Sequence, residues 1–132
     1  MSRVPGWERK LDLAIREAAR TPFAWGQHDC ATFAFDVAGR LTGREIVDWR
    51  GCYHDARSAK RYLRNMGGRA MREIADEYFG KPLVTTNLAR RGDLVLCRED
   101  AYGICLGTTA VFVGEEGLHA RPMSDAVLAW RV

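Results

Sequence analysis

The chain has 132 residues, 47% of them hydrophobic, and a formal net charge of +3. That length and composition suit one folded domain with a sizeable core and exclude a disordered chain. No apolar run approaches the roughly 20 residues of a membrane-spanning helix, and the arginine-rich stretches, Arg57-Lys60-Arg61-Arg64 and Arg90-Arg91, read as solvated faces rather than a nucleic-acid surface, because no recognition motif or interleaved aromatic accompanies them.

The lead-in, Met1 to Gly6, lacks the apolar core of a signal peptide, so synthesis in the host cytoplasm is expected, with exit only inside a larger particle. Trp7, Leu11, Ala14, Ile15 and Ala18 recur at helical spacing and predict a first helix over Trp7 to Ala19. Arg20-Thr21-Pro22 ends it, since the residue before proline disfavours helical geometry.

Next comes the stretch on which the rest is organised, Phe23-Ala24-Trp25-Gly26-Gln27-His28-Asp29-Cys30-Ala31-Thr32-Phe33. Trp25-Gly26 reads as a tight turn in which only glycine lets the backbone come close to a neighbour. From Cys30 the positions Phe33, Ala34, Val37, Ala38 and Leu41 form one buried helical face, closing near Gly39 to Gly43, with Asp29 or His28 at the N-cap. A cysteine in the first turn of a helix sits at the positive end of the helix dipole, which favours thiolate and suits a nucleophile. The alternative is a small packed core residue.

Glu45 to Tyr53 is a connection in which Ile46, Val47, Trp49 and Tyr53 alternate loosely with polar residues. Trp25, Trp49 and Tyr53 are candidates for either cleft or core. Asp55 caps a third helix with Ala56, Ala59, Leu63 and Met66 as its buried stripe, stopped by Gly67-Gly68. A fourth runs from about Met71 to Phe79, with Ile74, Ala75 and Tyr78 inward, and Gly80-Lys81-Pro82 breaks it. Strands are expected over Leu94 to Cys97, Tyr102 to Leu106, Thr109 to Val113, Leu118 to Arg121 and Ala126 to Val132, with a hairpin turn at Gly114 to Gly117, Trp130 in the core and Asp93 shaping the turn into the first strand. Helices first and a meander of short antiparallel strands second give an α+β fold: a helical half over about 7–80 and a β half over about 92–132. The cysteines Cys30, Cys52, Cys97 and Cys105 lack C-x-x-C spacing, so no structural metal is expected, and no cofactor either. Cys97 and Cys105 lie on consecutive strands, where they pack or face each other.

Trp25-Gly26, then Asp29-Cys30, a small residue and Phe33, resembles the nucleophile segment of the NlpC-type cell-wall cysteine peptidases, papain-like hydrolases that cut stem peptides of peptidoglycan. Arg91-Gly92-Asp93-Leu94-Val95-Leu96 resembles that family's Gly-Asp-Leu-Val strand. Gly51-Cys52-Tyr53, Gly67-Gly68, the Gly103-to-Gly107 strand and the Ala129-Trp130-Arg131-Val132 end resemble its short members encoded among phage and prophage tail genes. The resemblance covers nearly the whole chain. It implies a papain-like fold, Cys30 as nucleophile, and an oxyanion or cleft region at Trp25, Gly26, His28 and Asp29.

A cysteine peptidase also needs a base, usually histidine oriented by a third polar residue. In the resembled family the base opens the strand after Gly-Asp-Leu-Val. Matching Gly103-Ile104-Cys105-Leu106-Gly107 to that strand puts Ala101 at the base position; matching Ala110-Val111-Phe112-Val113-Gly114 puts Thr108 there and His119-Ala120 at the orienting one. Neither Ala101 nor Thr108 can serve. Of His28, His54 and His119, the last is the candidate for a relocated base. The expectation is therefore a tail-tip or baseplate component with a degenerate, structural or assembly role and tail hub proteins as partners. The alternatives are an active peptidoglycan hydrolase carried by the tail and, last, a thiol acyltransferase.

Overall fold

A computed structural model describes residues 2–46, 49–65 and 70–132. Val47, Met66 and Gly67-Gly68, all used in the sequence reading, lie outside the described residues. The fold is α+β. Among the described residues four α-helices precede a five-stranded antiparallel sheet: α1 Trp7–Ala19, α2 Cys30–Thr42, α3 Ala56–Asn65, α4 Met71–Phe79, then β1 Leu94–Cys97, β2 Tyr102–Cys105, β3 Thr109–Gly114, β4 Gly117–Pro122 and β5 Ala126–Trp130. Short 3-10 turns at Thr86–Leu88 and Met123–Asp125 punctuate the connections.

The helix starts follow from local chemistry. Asp29, not His28, caps α2: its side chain accepts from the Thr32 N–H at 3.0 Å while the Thr32 hydroxyl accepts from the Asp29 N–H at 2.7 Å, a reciprocal capping box. Asp55 and Ser58 make the same exchange at α3. Gly43, with φ 67°, closes α2 in the left-handed conformation that suits glycine. Helix α2 is the central helix, and burial goes beyond its predicted face, with Ala31, Thr32 and Phe35 also shut from solvent. By contrast α3 has no fully buried residue. Its expected core stripe rests against the main core at Ala59 and Leu63, which are half-buried, and is exposed at Ala56, because the helix lies at the edge of the core and lines a cleft.

The sheet order is β4-β3-β2-β1-β5. The first four strands form the expected meander; β5 corrects the rest, returning to the free edge of β1, with Leu94 opposite Trp130 and Leu96 opposite Leu128. Alternation along each strand splits the sheet into two buried faces. Leu94, Leu96, Tyr102, Ile104, Val111, Val113 and Trp130 join the main core with α1, α2 and α4. Val95, Cys97, Cys105, Ala110, Phe112 and Ala129 form a smaller cluster on the far face, covered by Leu83, Ala89 and Met123. Trp130 is buried as expected and donates its indole N–H to Asp76 of α4 at 2.9 Å. Cys97 and Cys105 are buried and free. They do not face each other, because Cys97 bonds to Ala101 at one end of the β1–β2 pair while Cys105 bonds to Asp93 at the other.

Asp93 shapes its turn as expected, accepting from the Arg90 N–H at 2.8 Å, but also ties the ends of the fold together. Its carboxylate, wholly buried, accepts from Arg3 Nη2 at 2.9 Å and from the Val132 N–H at 3.0 Å, and lies 3.0 Å from Arg131 Nη1. Arg3 also donates to the Val132 carbonyl at 2.8 Å and lies over the Trp7 ring at 4.2 Å.

Candidate functional site

Trp25-Gly26 turns the chain so that Asp29 and Cys30 enter α2 at one end of a cleft of about 580 Å³. Gly26 has φ 77°, and a Cβ there would stand 1.8 Å from the Tyr53 carbonyl oxygen, so the site tolerates only glycine. The Gly26 N–H and the Tyr53 hydroxyl donate to one oxygen of Asp29, at 2.9 and 2.7 Å, and the α2 backbone satisfies the other. Asp29 is thereby a buried carboxylate held by neutral donors only, and it fixes the start of α2 to the connection that carries Tyr53. Burial, then the bond to this carboxylate, drives the Tyr53 phenol far above its ordinary pKa. The hydroxyl is a fixed donor.

The cleft floor holds Cys30, Asp29 and Ala31. Trp25, Phe23 and Trp49 line one side, α3 contributes Ala56, Ala59, Lys60 and Leu63, and the sheet turns contribute Glu99, Asp100, Ala101 and Glu115. Trp25, Trp49 and Tyr53 are thus both packed and cleft-lining; Phe23 stands edge-on to Trp25 at 5.1 Å between centroids.

The expected activation of Cys30 does not occur. Burial is the dominant effect and raises the thiol from 9.0 to about 11, and the Asp29 carboxylate adds to the rise. The backbone N–H of Tyr102 on β2, and to a lesser degree that of Ala31 at the helix start, act the other way but are outweighed. At neutral pH Cys30 is a thiol.

The Tyr102 N–H that serves the sulfur places its neighbour Ala101 beside Cys30 in the cleft. A methyl group therefore stands at the position that the first of the two strand matches assigns to the base. The chain has three histidines, and each lies elsewhere. His119 is the clearest correction. It sits opposite Phe112 in the β3–β4 register and stacks on that ring at 6.0 Å, on the far face of the sheet, while Cys30 is on the helix side. Its Nδ1 lies 3.3 Å from the Gly117 carbonyl. His28 is not a cleft residue either: Ala24 and His28 pair in a single bridge, and the ring packs edge-on to Phe33 in a separate hollow against α1. His54 is exposed beside Asp55 and Ser58.

Sequence reasoning missed the acidic rim. Glu99 is held at about 2 by Arg121, which donates to it at 3.0 Å. Asp100 and Glu115, at the tips of two turns, are exposed. No spacing links residues 15 positions apart on separate turns; only the strand pairing brings them to one rim. Among the described residues no group of three His, Cys, Asp or Glu could hold a metal ion, and no helix is long and apolar enough to cross a membrane.

The fold and site define an α+β chain with a cysteine-bearing cleft that no histidine faces. The chain belongs to the family described as a domain of unknown function, DUF6950, whose model matches residues 2–132. No curated protein matches it.

Proposed function

We propose that this chain is a structural or assembly component of a phage-like tail tip or baseplate, an NlpC-like domain whose cleft holds a partner and does not cut it. One observation supports the loss of hydrolysis: Ala101 occupies the place beside Cys30 where an imidazole is required, while the thiol stays protonated at neutral pH. The tail assignment draws on the resemblance of Trp25-Gly26, Asp29-Cys30, Gly51-Cys52-Tyr53 and the C-terminal segment to the short tail-encoded members of the NlpC group. It implies tail hub or baseplate proteins as partners and a final location in the virion.

The test has two arms. Peptide release from purified peptidoglycan is expected from neither the wild-type chain nor Cys30→Ala; release by the wild type alone would establish the alternative, an active stem-peptide hydrolase. Co-expression with tail hub proteins from the same gene cluster is expected to give a complex that survives gel filtration, and a chain that elutes alone counts against the tail role.

A further inference from the structure

The cleft beside Cys30 is an acidic hollow in a chain whose net charge is +3. Among the described residues its lining carries Asp29, Glu99, Asp100 and Glu115 against Lys60 alone. These carboxylates are not equivalent. Asp29 is buried and saturated by three donors. Glu99 is engaged by Arg121. Asp100, at φ 59° in the β1–β2 turn, and Glu115, in the β3–β4 turn, are exposed and have no side-chain partner among the described residues. Two free negative charges therefore stand on one rim. Below them is apolar surface. The stripe of α3, at Ala56, Ala59 and Leu63, lines this cleft with Trp25; Ala59 and Leu63 rest against the main core but stay half-exposed, and Ala56 is exposed.

We propose that this cleft binds an extended polypeptide segment of a partner protein in which a lysine or arginine is flanked by apolar side chains. The apolar neighbours cover the parts of the α3 stripe and of Trp25 that the core leaves exposed to the cleft. The cation meets Asp100 and Glu115, and the indole of Trp25 adds a cation–π face. A volume of about 580 Å³ lies within the usual range for a site that encloses a few side chains. An acidic segment is rejected by the same rim. This inference rests on the reading that the cleft holds its ligand without cutting it, and it adds the chemistry of the segment held.

The probe is a fluorescein-labelled, end-capped Ala-Leu-Lys-Leu-Ala peptide, compared by anisotropy with the Ala-Leu-Glu-Leu-Ala peptide. The lysine peptide is expected to bind roughly fivefold or more tightly than the glutamate one, with the preference weakening as salt rises. Asp100→Asn combined with Glu115→Gln removes the preference. Both sites are exposed, and asparagine accepts the left-handed backbone of Asp100, so the fold is unaffected, which the thermal unfolding curve checks. Lys60→Glu, a second variant, strengthens lysine-peptide binding. Equal affinity for the two peptides, a preference that survives the double variant, or no binding of the lysine peptide each overturns the inference. Mass spectrometry of the recovered peptide separates the two readings. An intact, unbound peptide sinks only this inference, whereas a peptide cut by the wild type and not by Cys30→Ala sinks the non-hydrolytic reading.

Discussion

Among the described residues two aspartates are buried, Asp29 at the start of α2 and Asp93 at the entry to β1, and they are satisfied in opposite ways. Asp29 has neutral partners: the Gly26 and Thr32 N–H groups and the Tyr53 hydroxyl. Asp93 has two guanidinium groups, Arg3 and Arg131, together with the Arg90 and Val132 N–H groups. The charge on Asp93 is paired by two guanidinium groups where it stands, although its field still adds to the rise of the buried Cys105 thiol, and its carboxylate serves as a knot between the two ends of the chain. The charge on Asp29 is hydrogen-bonded but not cancelled, and its field reaches Cys30 and Tyr53, raising both. One carboxylate holds the fold together; the other holds the site and sets its electrostatics.

Removing Asp93 is the largest break. Asp93→Ala leaves Arg3 and Arg131 facing an uncompensated hollow and frees the two chain ends, and a loss of about 3–5 kcal/mol is expected, as for other buried pairs deprived of one partner. Denaturant unfolding measures it. A loss comparable with that of an exposed ion pair would mean the knot is solvated in solution. Salt sharpens the contrast little, because buried pairs are screened far less than exposed ones.

Asp29→Asn is the second. It keeps the shape and breaks the charge, and one amide N–H must now face a donor. A loss of about 1–3 kcal/mol is expected. The same change removes a negative charge beside the thiol, so the pH profile of Cys30 alkylation moves down from about 11. Asp93→Asn leaves that profile in place. A profile that does not respond to Asp29→Asn would leave the Asp29 charge no share in the rise.

These differences bear on what the sequence could disclose. The α2 cap, the glycine turn at Gly26 and the bounds of α1, α4 and β1 were legible because each is settled within a few residues, by a carboxylate, a missing Cβ or a short periodicity. The cysteine at the helix start was legible too, but its pKa was not: the dipole is local, whereas the burial that overrides it arises only when the fold closes around the sulfur. The α3 stripe had the right period but reaches the core only in part, at Ala59 and Leu63, since periodicity gives a face but not how deeply that face is buried. Asp93 was readable as a turn residue from Arg90, and unreadable as a knot, because Arg3 and Val132 reach it only after the whole fold has closed.

Alkaline titration gives a smaller effect. Cys30 binds its proton more tightly in the folded chain, with about 11 against 9.0, so its contribution to stability is complete below pH 9 and is lost as pH rises toward 11. The direction is toward unfolding in base, with a ceiling of about 2–3 kcal/mol for a shift of this size. Cys30→Ala removes the contribution, and the gap between the two proteins should change over that window and stay constant below it. A gap that is flat through the window would show that the thiol ionises as freely folded as unfolded. In the same range iodoacetamide should label exposed Cys52 well before Cys30.

The smallest expected effect is the one that separates the two faces of the sheet. His119 stacks on Phe112 on the side away from Cys30, and Arg121 approaches the same ring at 5.5 Å. His119→Ala therefore changes the cover over a far-face aromatic, at a cost within about 1 kcal/mol, and does nothing at the cleft. The rate and pH profile of Cys30 alkylation should match the wild type. Ala101→His does the reverse. It sets an imidazole beside the sulfur, and its cationic form stabilises the thiolate and moves the profile downward. If His119→Ala slowed Cys30 while Ala101→His left it unchanged, the β3–β4 register would be turned over, because only a one-residue slip carries His119 to the helix side.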